Sequence, residues 1–200
     1  TDVFEGLTDL RHIFSPTYKL CCRQLLPSYF DEHFCESPQD EISSCEDLLR
    51  SEMYRVSLWM MSVLALTGNI FCLVFRAVVQ RKSTKNAFNI FVSCLCLADL
   101  LMGVYVTVIG SADLVFRGRY LHVDSTWMKS AACQAAGFVS LVSSEVSAVT
   151  IMFITVDRFI ALSFPFTRFR FRTRSALVAC GLSWLFGLAV ATVPLLPVTA

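Results

Sequence analysis

Four long apolar segments constrain the fold of this chain more than any other feature. Residues 56–75 and 175–197 carry no charge, while 87–112 contains only Asp99 and 131–156 only Glu145. About eighteen or more apolar residues suffice to cross the hydrocarbon core of a bilayer. One ionisable residue near mid-span costs roughly 2.5–3.5 kcal/mol, which neighbouring Leu, Val, Ile and Phe offset. The predicted transmembrane helices are 55–78, 87–112, 131–157 and 175–197.

The overall composition argues against a soluble alternative. Hydrophobic residues make up 55% of the chain and charged residues only 16%, whereas soluble domains have about 25% charged residues. Four buried helices of a large soluble protein would need a polar shell that this composition does not supply. We therefore predict an all-α membrane protein with a helical transmembrane bundle.

The distribution of charge indicates an orientation. Residues 1–55 hold eleven acids and five bases; the connection 77–86 has three bases and no acid, and 157–174 has five Arg and one Asp. Because Lys and Arg collect in cytoplasmic loops, both connections are expected inside. The N-terminus and the nearly balanced connection 113–130 are expected outside, in a multi-pass protein of the cell membrane. No basic tract with interleaved aromatic residues suggests nucleic-acid binding.

The nine cysteines agree with this orientation, because none lies in a proposed cytoplasmic connection. The outer section contains Cys21, Cys22, Cys35 and Cys45. Four cysteines in a short extracellular segment predict two disulfides, with three possible pairings. Cys133, at the outer end of the third span, is then left over, and its partner is expected beyond residue 200. The four cysteines within the spans are interpreted as small packing residues.

The first residues have a regular apolar spacing. Apolar side chains recur every three residues at Phe4, Leu7, Leu10 and Ile13. This spacing fits one leucine-rich repeat, although a single amphipathic turn would give the same pattern. We assign residues 1–20 to the end of a repeat ectodomain and 21–54 to a cysteine-containing extracellular hinge. A missing signal segment and an end just after the fourth span lead us to expect a fragment.

Polar residues within the spans fall on definite helix faces. Ser62 and Asn69 lie within about 20° of each other on the first span. A sector of roughly 60° on the third span contains Ser140, Ser144, Ser147 and Arg158. Because lipid offers hydroxyls no partner, both faces should point into the bundle. Glu145 points elsewhere and should meet a different helix or be satisfied locally, and Asp99, near mid-span, is predicted to be functional.

The sequence contains no enzyme signature. It lacks a glycine-rich phosphate loop and the motifs of zinc proteases and serine hydrolases. The three histidines are scattered outside the spans without metal-ligand spacing; they are His12, His33 and His122. We predict a protein that is not an enzyme and has no metal centre formed by these histidines.

Several motifs together resemble the landmarks of rhodopsin-like G-protein-coupled receptors. They are Gly68-Asn69, Leu97-Ala98-Asp99-Leu100, Cys133, Asp157-Arg158-Phe159, Trp184 and Pro194. Cys21-Cys22 and Ser44-Cys45-Glu46-Asp47-Leu48-Leu49 resemble the hinge of leucine-rich-repeat-containing members. The most similar subgroup is the relaxin-receptor type, to judge from Met102-Gly103-Val104-Tyr105, Arg117-Gly118, Trp127-Met128, Ser144-Glu145-Val146-Ser147 and Phe164-Pro165-Phe166. The resemblance covers essentially the whole chain.

The resemblance implies an activation switch. It implies that Asn69 and Asp99 form a polar centre between spans, often with sodium and water, that changes between inactive and active bundles. It also implies that Asp157 holds Arg158 in the resting state and that Arg158 then meets a heterotrimeric G protein. Phe159 stands where the family usually has Tyr, which leaves the fine tuning of this site open.

The resemblance also implies contacts beyond the switch. Pro165 and Phe166 match a cytoplasmic loop that packs into the G protein, and Cys133 matches a cysteine bridged to the second outer loop. Trp184 and Pro194 match landmarks of the fourth span and are assigned to bundle packing. The four arginines of this loop either anchor the inner face or contact a partner; they are Arg168, Arg170, Arg172 and Arg174.

The resulting hypothesis is a fragment of a seven-span receptor for an extracellular peptide or glycoprotein hormone, comprising the hinge and spans one to four. Two alternatives remain at this stage. One is a complete four-span scaffold or adhesion protein; the other is a truncated receptor form that does not signal. Upstream repeats and three further spans would identify the parent receptor.

Overall fold

A computed structural model describes residues 11–38, 42–79, 86–164 and 171–196. Within these ranges the chain forms five α-helices and one pair of two-residue strands. The helices are α1 Glu52–Val78, α2 Ala87–Phe116, α3 Tyr120–Met128, α4 Ala131–Ser163 and α5 Thr173–Thr192. Short 3-10 turns occupy Tyr18–Cys21, Glu32–Phe34 and Val193–Leu195.

The four long helices confirm the predicted all-α membrane fold. Each is long and apolar enough to cross a bilayer: α1, α2, α4, and α5 with its following 3-10 turn. Their bounds differ from the apolar runs, since α1 begins at Glu52, α2 continues to Phe116 and α4 continues to Ser163. Backbone hydrogen bonding carries a helix past the point where its side chains become polar. The fourth span changes to a 3-10 turn at Val193–Leu195, because Pro194 has no N–H to continue the α-helix.

The helix α3 was not predicted from the sequence. It has nine residues and lies within the connection 113–130, for which no helix was predicted. Helices this short are marginal by themselves and depend on tertiary contacts, which a sequence pattern does not reveal. Gly118 precedes it with a φ of 73°, a left-handed conformation that glycine adopts without a Cβ clash.

The chain forms two compact units. The first comprises the chain up to Val56 together with Ser111–Met128. In its N-terminal part, β1 Ile13–Phe14 pairs in parallel with β2 Cys35–Glu36. The buried core beside this sheet contains Ile13, Leu26 and Phe30. Most of the predicted repeat pattern, including Phe4, Leu7 and Leu10, lies outside the described residues.

Two disulfides hold the N-terminal part of the first unit together. The structure pairs Cys21 with Cys35 and Cys22 with Cys45, which selects one of the three pairings that the sequence allowed. Cys133 carries a free thiol. Cys22 is completely buried and its partner Cys45 is half-buried, so this bridge is largely shielded from solvent.

The second unit, Ser57–Gly110 with the chain from Lys129 onward, is a helical bundle. Its core combines aromatic rings with small residues, and Phe91 stacks on Phe153 at 5.8 Å between ring centroids. Ala179 and Gly187 of α5 are buried, and a Cβ added at Gly187 would lie 2.9 Å from a methyl group of Val146. Small residues permit such close approach between membrane helices.

Candidate functional site

The mid-span acid forms a hydrogen bond between helices. Ser147 Oγ on α4 donates to Asp99 Oδ1 on α2 at 2.7 Å. One turn earlier on α4, the buried hydroxyl of Ser143 donates to the backbone oxygen of Ala98 at 2.8 Å. Since lipid cannot satisfy these groups, the two bonds hold α2 and α4 in a definite register around Asp99.

The first span contributes a polar contact at another level. Ser62 on α1 is buried, and its hydroxyl lies 2.7 Å from that of Thr107 on α2. Asn69 instead donates to the backbone oxygen of Ala65 on its own helix at 2.8 Å. In the part of the chain that the structure describes, no hydrogen bond joins Asn69 to Asp99. The two residues expected to form a polar centre are therefore not directly bonded.

The polar face of the third span is only partly directed into the bundle, which corrects the expectation from the helical angle. Ser147 faces Asp99, but Ser144 is exposed and donates to backbone oxygens of its own helix. The fully buried hydroxyl residues of this helix are Ser143 and Thr150, neither of which was predicted from the sequence. Helical angles define relative directions on one helix but not the positions of its neighbours.

Glu145 is half-buried and lies beside α5. A Cβ built at Gly187 of α5 would lie 3.7 Å from the Cβ of Glu145.

Arg158, near the end of α4, lies over an aromatic ring and has no carboxylate partner among the residues that the structure describes. Its guanidinium carbon lies 3.6 Å from the ring centroid of Phe88, within the range of a cation–π interaction. No ion pair joins Arg158 to Asp157 or to any other described carboxylate within 4.0 Å. The aromatic ring thus orients the guanidinium, whose N–H groups are not bonded to any carboxylate of the described residues.

A cavity of about 440 Å³ opens beside this arginine. It lies between the start of α2, the end of α4 and the start of α5. Its charged and polar lining includes Asn89, Asp157, Arg158, Arg172 and Thr173. The formal charge of this lining is positive, because two arginines outnumber one aspartate.

The other predicted site residues have separate environments. Trp184 is half-buried and packs against the core of the second unit, whereas Pro194 is exposed in the 3-10 turn after α5. Pro165 and Phe166, predicted to contact a G protein, lie outside the described residues. Among the residues described, no group of three or more His, Cys, Asp or Glu is arranged to hold a metal ion.

The first unit contains a buried charge cluster that the sequence analysis missed. Arg55 at the start of α1 donates to Asp113 near the end of α2 at 2.5 Å, and Asp113 has no exposed surface. The other oxygen of Asp113 accepts the backbone N–H of Leu49 at 2.8 Å. Glu52 bonds both Arg55 and Arg117 at 2.6 Å. The sequence signal for this cluster was a charged residue at one end of each of the first two spans: Arg55 in the first turn of α1 and Asp113 in the last turn of α2.

A second set of contacts links the hinge to the connection that follows α2. Asp47 Oδ1 accepts the backbone N–H of Gly118 at 2.9 Å, and the backbone oxygen of Glu46 accepts that of Tyr120 at 3.0 Å. Lys19 forms an ion pair with the buried Asp124 of α3. The two residues that follow Cys45 therefore bind backbone groups of this connection, Asp47 through its side chain and Glu46 through its main chain.

Most of the chain matches one known protein family. Residues 68–199 match the model of the 7 transmembrane receptor (rhodopsin family). The chain belongs to this rhodopsin family of receptors. It is a multi-pass membrane protein, and membership in a receptor family confirms the expectation of a receptor and not an enzyme.

Individual relatives within the rhodopsin family agree with the resemblance noted in the sequence. G-protein coupled receptor GRL101 of Lymnaea stagnalis is 39% identical over 97% of this chain. Relaxin receptor 1 of Mus musculus is 35% identical over 94% of it, and the follicle-stimulating hormone receptor of Cairina moschata is 32% identical over 83%. The chain spans 17% of the first of these relatives and 24% of each of the other two.

Proposed function

We propose that the chain is part of a leucine-rich-repeat-containing receptor that passes binding of an extracellular peptide or protein hormone to a heterotrimeric G protein. The observation that carries this proposal is the state of Arg158. Its side chain is exposed at the end of α4, lies over Phe88 at 3.6 Å and forms no ion pair with a described carboxylate. A guanidinium held in this way can bond a partner's acceptors as soon as one approaches.

The charge distribution supports an orientation with the N-terminus outside the cell membrane. The two disulfides lie in the acidic first unit, and disulfides persist in oxidising, extracellular surroundings. The arginine-rich connection between α4 and α5 then faces the cytoplasm, in accord with the positive-inside rule. Arg158 would therefore lie on the side where a G protein is found.

Asp99 is proposed to act as a switch between two bundle arrangements. Its bond to Ser147 joins α2 to α4, and a mid-membrane carboxylate is retained at a cost that a functional role would explain. A carboxylate and a hydroxyl are oxygen donors of the kind that a hard cation takes. The pair therefore fits sodium by its chemistry, and Asp99 and Ser147 are the residues that would hold the ion. Bound sodium would supply positive charge beside the carboxylate.

The class of ligand follows from the names of the relatives. Two of those reported are receptors for relaxin and follicle-stimulating hormone, which are extracellular protein hormones. We propose that the ligand of the present receptor also belongs to this class, and we do not assign either hormone to it. The hinge contacts of Glu46 and Asp47 with the connection after α2 provide a route by which a change in the ectodomain reaches the spans.

The test uses the full-length receptor with Arg158→Ala and the matched control Arg174→Ala. Arg174 is also an exposed arginine, but it does not line the cavity beside Arg158. Second-messenger output is measured together with hormone binding and surface level. We expect Arg158→Ala to abolish output at normal binding and surface level, and Arg174→Ala to retain it. Normal output from Arg158→Ala at matched surface level would disprove the proposed role.

A further inference from the structure

We propose that Cys72 on α1 and Cys96 on α2 are an oxidisable thiol pair, which hydrogen peroxide converts to a reversible disulfide between the two helices. The observation that carries this inference is a direct contact, in which the thiol of Cys96 donates to the sulfur of Cys72 at 2.9 Å. Both cysteines are free. The inference concerns the chemistry of these two side chains and does not rest on the proposed function.

The two sulfurs are close enough to bond after a small movement. They lie 2.9 Å apart, and a disulfide bond is about 2 Å long, so an approach of roughly 0.9 Å closes it. Cys94, two positions before Cys96, contacts the hydroxyl of Thr150 on α4 at 3.6 Å instead. Cys96, and not Cys94, therefore faces the sulfur on α1.

Contacts on both sides of the pair keep α1 and α2 in register. Arg76, one turn beyond Cys72, donates to Asn89 Oδ1 on α2 at 3.2 Å. In the other direction the helices pack closely, since a Cβ added at Gly103 would lie 3.0 Å from Leu66 Cδ2. Closely packed elements resist displacement. The two thiols thus stay opposite each other while one of them reacts.

The two thiols differ in access, which assigns the order in which they react. Cys72 is half-buried, whereas Cys96 is only 6% exposed. Exposure and thiolate character determine which thiol an oxidant modifies first. Hydrogen peroxide is small and uncharged, so it enters a half-buried site more readily than a charged oxidant does. We therefore assign Cys72 to react with peroxide and Cys96 to resolve the product.

The reaction consumes one peroxide for each thiol pair. The sulfur of Cys72 attacks a peroxide oxygen, the O–O bond breaks, and a sulfenic acid and one water form. The sulfur of Cys96 then attacks the sulfenic sulfur, the S–O bond breaks, and a second water leaves as the S–S bond forms. The two sulfurs together lose two electrons, the peroxide gains them, and both thiol protons end in water. A dithiol reductant reverses the reaction by thiol–disulfide exchange.

A disulfide at this place would restrain the helices beside the mid-span acid. Cys96 lies three positions before Asp99, so the two side chains occupy neighbouring turns of one helix face. Asp99 is bonded to Ser147 on α4. Oxidation would therefore fix α1 covalently to the part of α2 that contacts α4.

The experiment counts thiols in the purified 200-residue chain in neutral detergent micelles, before and after treatment with hydrogen peroxide. Cys133→Ser is introduced first, so that two chains cannot link through that thiol, and four of the five free cysteines remain. Alkylation under denaturing, non-reducing conditions, followed by intact mass, should find four thiols before peroxide and two after it. Dithiothreitol should restore all four. Four thiols remaining after peroxide would overturn the proposal.

Two variants in this background identify the thiols that are lost. Cys72→Ser removes one member of the pair, so its three remaining thiols should all survive peroxide. The matched control Cys94→Ser removes a buried cysteine of α2 outside the pair and should fall from three thiols to one. Loss of two thiols in Cys72→Ser would assign the disulfide to other cysteines. A sulfinic acid at Cys72 beside an unmodified Cys96 would show that the pair does not close. Either result contradicts the proposal, and neither depends on hormone binding or G-protein activation.

Discussion

The side chain of Arg55 donates from Nε to Oδ2 of Asp113 at 2.5 Å, although 58 positions separate the two residues. The Asp113 carboxylate has no exposed surface and also accepts the backbone N–H of Leu49 at 2.8 Å. Arg55 in turn donates to the backbone oxygen of Leu49 at 3.2 Å. One hinge residue is therefore bonded to both members of a buried ion pair that joins α1 to α2.

Neutralising one member of this pair should be severely destabilising. Asp113→Asn removes the fully buried partner of Arg55 and leaves that guanidinium only with Glu52 and Asp47, which are not buried. Loss of a buried partner costs about 3–5 kcal/mol in comparable sites. The measurement is the free energy of unfolding of the purified chain in micelles, followed by tryptophan fluorescence.

Two further variants test whether burial of the ion pair causes this loss of stability. Glu52→Gln removes an exposed partner of the same arginine and should change stability by less than about 1 kcal/mol. The double variant Arg55→Met with Asp113→Leu should recover much of the loss, since it removes both charges. A loss from Asp113→Asn no larger than that from Glu52→Gln would refute this account.

The number of accessible thiols tests the disulfide arrangement. Of the nine cysteines, five are free, including Cys133, and four are paired. Alkylation under denaturing, non-reducing conditions should therefore modify five thiols. Peptide mapping should recover the Cys21–Cys35 and Cys22–Cys45 links. A link between Cys133 and any hinge cysteine in the monomer would contradict the arrangement.

The bond between Ser147 and Asp99 should affect signalling in the full-length receptor. Asp99→Asn keeps the size of the side chain but removes its charge, and Ser147→Ala removes the donor, so both should change basal second-messenger output while hormone binding stays near wild type. Ser144→Ala is the matched control, because that hydroxyl bonds only its own helix. If all three variants gave the basal output of the wild-type receptor at matched surface level, Asp99 would only hold the bundle together.

Close packing of α1 on α2 should make Gly110 sensitive to enlargement. An added Cβ would lie 2.8 Å from Leu58 Cδ2 and 3.1 Å from Trp59 Cε2. Gly110→Val should therefore lower stability by about 1–3 kcal/mol through overpacking. Gly137→Val makes the same change on α4 with no neighbouring atom within 4 Å. Comparable losses of unfolding free energy in both variants would show that helix propensity, and not contact with α1, causes the effect.

Membrane orientation can be tested with single reporter cysteines. Ser125 on α3 and Arg172 before α5 are both exposed, and the five free cysteines are first replaced so that the disulfides remain. An impermeant thiol reagent should label Ser125→Cys on intact cells, but Arg172→Cys only after permeabilisation. Labelling of Arg172→Cys on intact cells would reverse the proposed orientation.

The sequence by itself determined the four spans and the receptor family. A transmembrane helix is specified by the length and polarity of a continuous segment, so local composition is enough to find it. Asp99 was selected in the same way, because a mid-span acid is costly wherever its partners lie. The presence of two hinge disulfides likewise followed from the number and position of four cysteines.

Only the tertiary structure decided which groups meet. Ser143, and not the predicted Ser144, has its hydroxyl buried against α2, because the rotation of α4 within the bundle depends on its neighbours. The Arg55–Asp113 pair and the helix α3 likewise depend on residues that are distant in sequence. The cysteine pairing does too, since all three pairings have the same composition. Such contacts form when helices and loops pack side by side, and the pattern along one segment contains no information about its partner.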